Sequence, residues 1–222
     1  MRAFLLALSA MLLAGCALAN SKPVMPYDAW FLGIGAPSYM EVWVESVDVI
    51  DQQGLIFERV SGGSAAIQTP ANGKGNPTGW PKRVGSGKGK HLRGIDLPEF
   101  LFVRWQSLAE PQTYHAKVII PQWVREEMVK PKEIPNCARK DKDQLPLIIE
   151  YHYIITLGLA PGGIVKAWLT GDCLDPLEIG RFVGQVHKEG PSQGQTQGVY
   201  ALPLSPASKA YVEKNGIPYG SW

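Results

Sequence analysis

The chain has 222 residues, 45% of them hydrophobic, and its 22 lysines and arginines stand against 20 acids, for a formal net charge of +2. A balance so near neutrality argues against a nucleic-acid binder, which carries a clear basic excess. Without residues 1 to 15 about 207 remain, a length that suits one mainly β domain and requires no second.

The first element is a secretion signal. Met1 and Arg2 make a positive start, residues 3 to 13 are apolar except for Ser9, and Leu13-Ala14-Gly15-Cys16 follows at once. The apolar run is too short to span a bilayer as a helix, which takes roughly 20 residues. Its last four residues resemble the bacterial lipobox, in which the cysteine takes a diacylglycerol before cleavage. Cys16 is therefore the expected lipidation site and new N-terminus. An ordinary signal peptide with an incidental cysteine, or a buried N-terminal helix, is the alternative. Ala17 stands where an aspartate would mark inner-membrane retention, so the resemblance implies the periplasmic face of the outer membrane. Two or three acyl chains anchor stably where one binds only marginally.

Residues 16 to 26 read as a lipidated tether and residues 27 to 222 as one β-rich periplasmic domain. Residues 39 to 49 alternate, with Met40, Val42 and Val44 on one face and Glu41, Trp43 and Glu45 on the other, as a half-buried strand does. A turn at residues 51 to 54 leads into a partner strand over 55 to 60. Residues 61 to 95 hold nine glycines and three prolines and show no predictable element, hence a long loop. Strands follow over 100 to 107 and 114 to 120. Pro121 then opens a short helix carrying Trp123, Glu126, Glu127 and Lys130, which ends before Pro131. Residues 147 to 159 make the strongest strand signal, and the turn at 160 to 163 returns the chain along 164 to 170. One more strand is expected within 177 to 186. Ser205 and Pro206 start a last helix that Asn215 and Gly216 stop, and the apolar tail 217 to 222 is expected to dock on the domain. About seven strands and two short helices make a mainly β (α+β) fold, a mostly antiparallel β-sandwich or curved sheet.

With Cys16 lipidated, Cys137 and Cys173 remain as an even pair in an oxidising compartment. A disulfide between them is expected, with two separate free thiols as the alternative. The bond would stabilise by roughly 3 to 4 kcal/mol on the chain-entropy account.

The search for chemistry yields no catalytic assignment, no metal site and no cofactor. The Gly-x-Ser-x-Gly elbow of serine hydrolases does not occur. Residues 85 to 90 look superficially like a phosphate loop, but neither Lys88 nor Lys90 precedes a hydroxyl residue. His91, His115, His152 and His187 are scattered singly, without metal-ligand spacing. His152 beside Glu150 is a conceivable general base, and a sheet-face pair is the plainer reading. Trp105 and Trp168 read as core or sheet-face residues. Between Glu58 and Asp96 the chain has seven cations and no acid. Trp80, Lys82, Arg83, Lys88 and Lys90 are therefore the candidate partner-binding residues, a patch suited to anionic lipid headgroups or an acidic protein face. A mobile loop kept soluble by its charge is the alternative.

Three segments together resemble the bacterial lipoprotein family catalogued as domain of unknown function 2931. They are residues 30 to 39 with Ala36-Pro37-Ser38-Tyr39, residues 97 to 110 running into Tyr114, and residues 157 to 169 around Pro161-Gly162-Gly163 and Trp168. The resemblance implies an envelope lipoprotein, and some members look like immunity proteins against type VI secretion lipases. It therefore implies a non-catalytic binding protein that neutralises a secreted phospholipase effector, with a structural or assembly lipoprotein of the envelope as the alternative. It assigns no catalytic residue.

Overall fold

The computed structural model describes residues 22–68, 72–137 and 146–222. The expected signal segment and Cys16 lie outside the described residues. Thirteen strands follow in chain order. β1 (Ala29–Gly35), β2 (Val42–Asp51), β3 (Ile56–Ser61), β4 (Ser64–Ala66), β5 (Lys88–Arg93), β6 (Pro98–Ser107) and β7 (Gln112–Ile119) come first. After helix α1 (Gln122–Met128) come β8 (Lys132–Pro135), β9 (Leu147–Glu150), β10 (Ile154–Ala160), β11 (Ile164–Thr170), β12 (Leu177–Val183) and β13 (Gln185–Val186), and helix α2 (Pro206–Asn215) closes the series.

Two sheets face each other. The first runs β12-β11-β10-β1-β5, and the second runs β13-β7-β6-β2-β3 with β4 also pairing β2. Every pairing is antiparallel except β1 with β10. Alternation decides which side chains point inward. Trp30, Leu32 and Ile34 of β1 meet Val42, Val44, Val47 and Val49 of β2 and Leu101, Val103 and Trp105 of β6 in one core cluster. Val124 and Met128, one turn apart on α1, close its side. The fold is thus the mostly antiparallel β-sandwich expected from the sequence, with its two helices.

At one end α2 and the C-terminal tail form a second cluster. Tyr39 stacks on Tyr211 with ring centroids 4.3 Å apart. Trp222 is buried, and its indole N–H donates to the Pro77 carbonyl at 2.8 Å. The tail therefore docks. Ser205 caps α2, its hydroxyl accepting from the Ser208 amide. The buried position of α2 is a serine, Ser208, because it faces the carboxylate of Glu41. That pairing puts Glu41 inside the molecule, although alternation had set it on the outward face of its strand.

Three expectations are corrected. Residues 61 to 95 are not one structureless loop, for they hold β4 and β5. In β5 only Leu92 is buried, and an edge strand so exposed has no apolar period to read. Residues 147 to 159 are not one strand. β9 pairs with β8 in a separate ribbon while β10 joins β1 and β11, and a change of partner leaves no mark in an alternating pattern. His152 therefore sits between strands and does not pair with Glu150. It is buried, 3.2 Å from the Asp175 carbonyl and 3.6 Å from a Glu127 carboxylate oxygen. Residues 23 to 25 also touch the domain: Gln52 donates to the Pro23 carbonyl at 2.7 Å, and Met25 packs against the core.

Candidate binding face

The outer side of the second sheet is built row by row from the strand register. Ile50, Phe100 and Ile119 lie abreast, then Asp48, Phe102 and Lys117, then Ser46, Arg104 and His115. The Lys117 ammonium lies 3.9 Å from the Phe100 ring centroid, and the Arg104 guanidinium 5.7 Å from that of Phe102. Ile119 is half exposed. His115 sits between Phe102 and His187. Burial, followed by the nearby His187 and Arg104, pushes its pKa below the ordinary histidine value. Of the far row, Gln106 and Thr113 are buried under the segment before α2, where the Ala201 amide donates to Gln106 at 2.8 Å, while Trp43 stays half-buried.

Between the open and covered parts lies a polar pocket of about 440 Å³. Three local departures from regular backbone make it. The pairing of β2 with β6 slips between Val44 and Ser46. Val44 and Val47 both stay in the core, so Trp43, Glu45, Ser46 and Asp48 all line the pocket, as a β-bulge permits. Opposite, β3 bulges against β2 between Val47 and Val49, and Arg59 takes φ +52°. The third wall is the short turn Pro191–Gly194, in which Ser192 and Gln193 have φ +52° and +56°. Left-handed backbone at a residue other than glycine costs about 1 to 3 kcal/mol and gathers at functional sites. Three such residues, Arg59, Ser192 and Gln193, line this one pocket.

Hydrogen bonds hold the strained walls. Glu45 accepts from the Ser192 amide at 2.6 Å and from the Gln106 amide group at 2.9 Å. Asp48 accepts from the Arg59 amide at 2.8 Å and lies 3.7 Å from the Arg104 guanidinium, which also donates to the Ser46 hydroxyl at 3.1 Å. This site escaped sequence reasoning because its residues come from four separated segments, and bulges carry no compositional mark.

The residues singled out in the sequence sit elsewhere. Cys137 and Cys173 form a disulfide, with Cα atoms 5.6 Å apart, which staples the β8–β9 ribbon to the β11–β12 connection. Trp80 is not a freely exposed anchor. It is half-buried, packs edge-to-face on Trp168 at 5.1 Å, and lies over Gly158, where a Cβ would come within 2.5 Å of its ring. Lys82 and Arg83 are exposed, and Arg83 pairs with Asp175 at 3.3 Å, an open ion pair of little energetic weight. Lys88 and Lys90 lie exposed on the edge strand β5, where lysines discourage strand addition. The structure brings these five residues to the first sheet's edge and outer face, away from the pocket. Trp105 is wholly buried, while Trp168 lies under Trp80. Among the described residues no three His, Cys, Asp or Glu side chains are grouped to hold a metal ion.

Fold and site together define a disulfide-stapled β-sandwich with one braced outer face. The family model described as "Protein of unknown function (DUF2931)" matches residues 17–220. The chain belongs to that family. No curated protein and no solved structure matches it.

Proposed function

We propose that this chain is an envelope-anchored lipoprotein that works by binding, and that its partner is a secreted phospholipase effector which it neutralises. The observation that carries binding is the open half of the second sheet's outer face, where Phe100, Phe102 and Ile119 alternate with Lys117 and Arg104 on a rigid sheet. Aromatic and arginine side chains supply most of the energy of protein interfaces, and the two cations suit a partner that presents carboxylates around an apolar centre. A stoichiometric inhibitor needs a rigid scaffold with a complementary patch. The lipase as partner rests on the family resemblance. Lipidation at Cys16 would hold the domain where a phospholipase acts and raise its local concentration. The exposed cations Lys82, Lys88 and Lys90 would lie against anionic headgroups.

The test is genetic. A strain lacking this chain should be killed by sister cells that deliver their phospholipase effectors, and a plasmid copy should restore survival. A copy with Cys16→Ser, which no longer anchors, should protect poorly. Survival of the deleted strain under attack would contradict the proposal.

A further inference from the structure

The pocket between Trp43 and the Pro191–Gly194 turn has a composition of its own. Its walls spend Glu45 and Asp48 on internal hydrogen bonds. The exposed Glu58 carboxylate and Arg59 guanidinium, with the side chains of Gln193 and Gln195, stand around the opening. Trp43, half-buried, supplies the apolar wall.

Charge balance narrows the occupant. Three carboxylates and two guanidiniums line one cavity, so a phosphate would face the acids and an ammonium the arginines. A neutral molecule that both donates and accepts meets no such penalty. Vicinal hydroxyls do both, and they match the planar forks of a carboxylate, a guanidinium or an amide. The C–H face of a pyranose ring fits the flat face of an indole, whose negative π-face attracts the ring's weakly positive hydrogens. The volume lies within the range of ligand sites. We infer that this pocket is a subsite for a neutral saccharide, with one sugar ring against Trp43 and its hydroxyls shared among Glu58, Arg59 and the two glutamines. The inference does not depend on the lipase as partner.

Calorimetric titration tests it, using the full chain in a detergent without a sugar headgroup. The probes are maltotetraose, tetra-N-acetylchitotetraose and, separately, inorganic phosphate. At least one tetrasaccharide should bind saturably, and phosphate should neither bind nor compete. Trp43→Ala should weaken the sugar about tenfold or more. Arg59→Asn, which keeps a residue tolerant of left-handed backbone while removing the guanidinium, should weaken it by a similar factor with an unchanged melting temperature. Saturation by neither sugar, competition by phosphate, or unaltered affinity in the folded Arg59→Asn protein would overturn the inference.

Discussion

Glu41 and Ser208 meet across 167 positions of sequence: the Ser208 hydroxyl donates to the Glu41 carboxylate at 2.6 Å, and both residues are buried. The Ser205 amide and hydroxyl donate to the same carboxylate. One acid on the way into β2 thus caps α2 from outside and fastens it to the sandwich. Glu41→Ala strands these buried donors, which costs about 2 to 3 kcal/mol. Denaturant unfolding should report that loss. Ser208→Ala, which removes one donor and keeps the acid's other contacts, should cost less.

The disulfide is a second long-range tie. Cys173→Ser should lower stability by about 3 to 4 kcal/mol on the chain-entropy account. Hydrogen exchange should rise most in the β8–β9 ribbon, which β-pairs with neither sheet. Intact mass should show these two thiols open to alkylation only after reduction. Reactivity before reduction would contradict the bond.

The packing of Trp80 over Gly158 predicts a shape effect. Gly158→Val places methyl groups where the indole lies and should cost about 1 to 3 kcal/mol by overpacking. Trp80→Ala combined with Gly158→Val should cost less than the two changes summed, because removing the Trp80 ring relieves the nearer part of the clash and leaves only Trp168 close. Simple additivity would separate the two residues.

Acid should act on the fold in two windows. Burial, followed by the neighbouring His187 and Arg104, lowers the His115 pKa. The unfolded chain then binds that proton more readily, and stability falls as pH drops below the ordinary histidine value. At Glu127 burial works against the charge, but hydrogen bonds from Lys132 and Lys130 outweigh it and lower the pKa. At Asp96 burial is likewise outweighed, here by Gln53, Gln52 and the Leu97 amide. A depressed carboxylate stabilises fully above its unfolded pKa, and the effect is lost as pH falls through the folded value. Unfolding midpoints should therefore drop first between about pH 7 and pH 5, less so in His115→Gln, and again below about pH 4, less so in Glu127→Gln. Identical pH profiles for wild type and variants would contradict these assignments.

Much of the fold is legible in the sequence because burial writes a period. Val42, Val44, Leu101, Val103 and Trp105 alternate with Trp43, Phe102 and Arg104 and occupy the inner faces of their strands. Ser205 and Gly216 bound α2 by local capping chemistry, which a short window of sequence contains. The candidate site is legible only in part. Glu45 and Ser46 both reach the pocket because a bulge breaks the period, and the bulge shows only in the pairing with β6. Arg59 and Ser192 carry no sign of their left-handed backbone, since glycine is the residue that signals it. Trp80 reads from sequence as a partner-binding candidate because its structural partners, Gly158 and Trp168, lie some 80 positions away.

The proposed function turns on inhibition by binding, and one titration tests it most directly. A phospholipase effector of the producing strain is assayed on phospholipid vesicles while the purified chain is added. Activity should fall linearly to zero at a fixed molar ratio, and Phe102→Ala with Lys117→Glu should raise the amount required at least about tenfold. Undiminished lipase activity in molar excess of the wild-type chain would contradict the account.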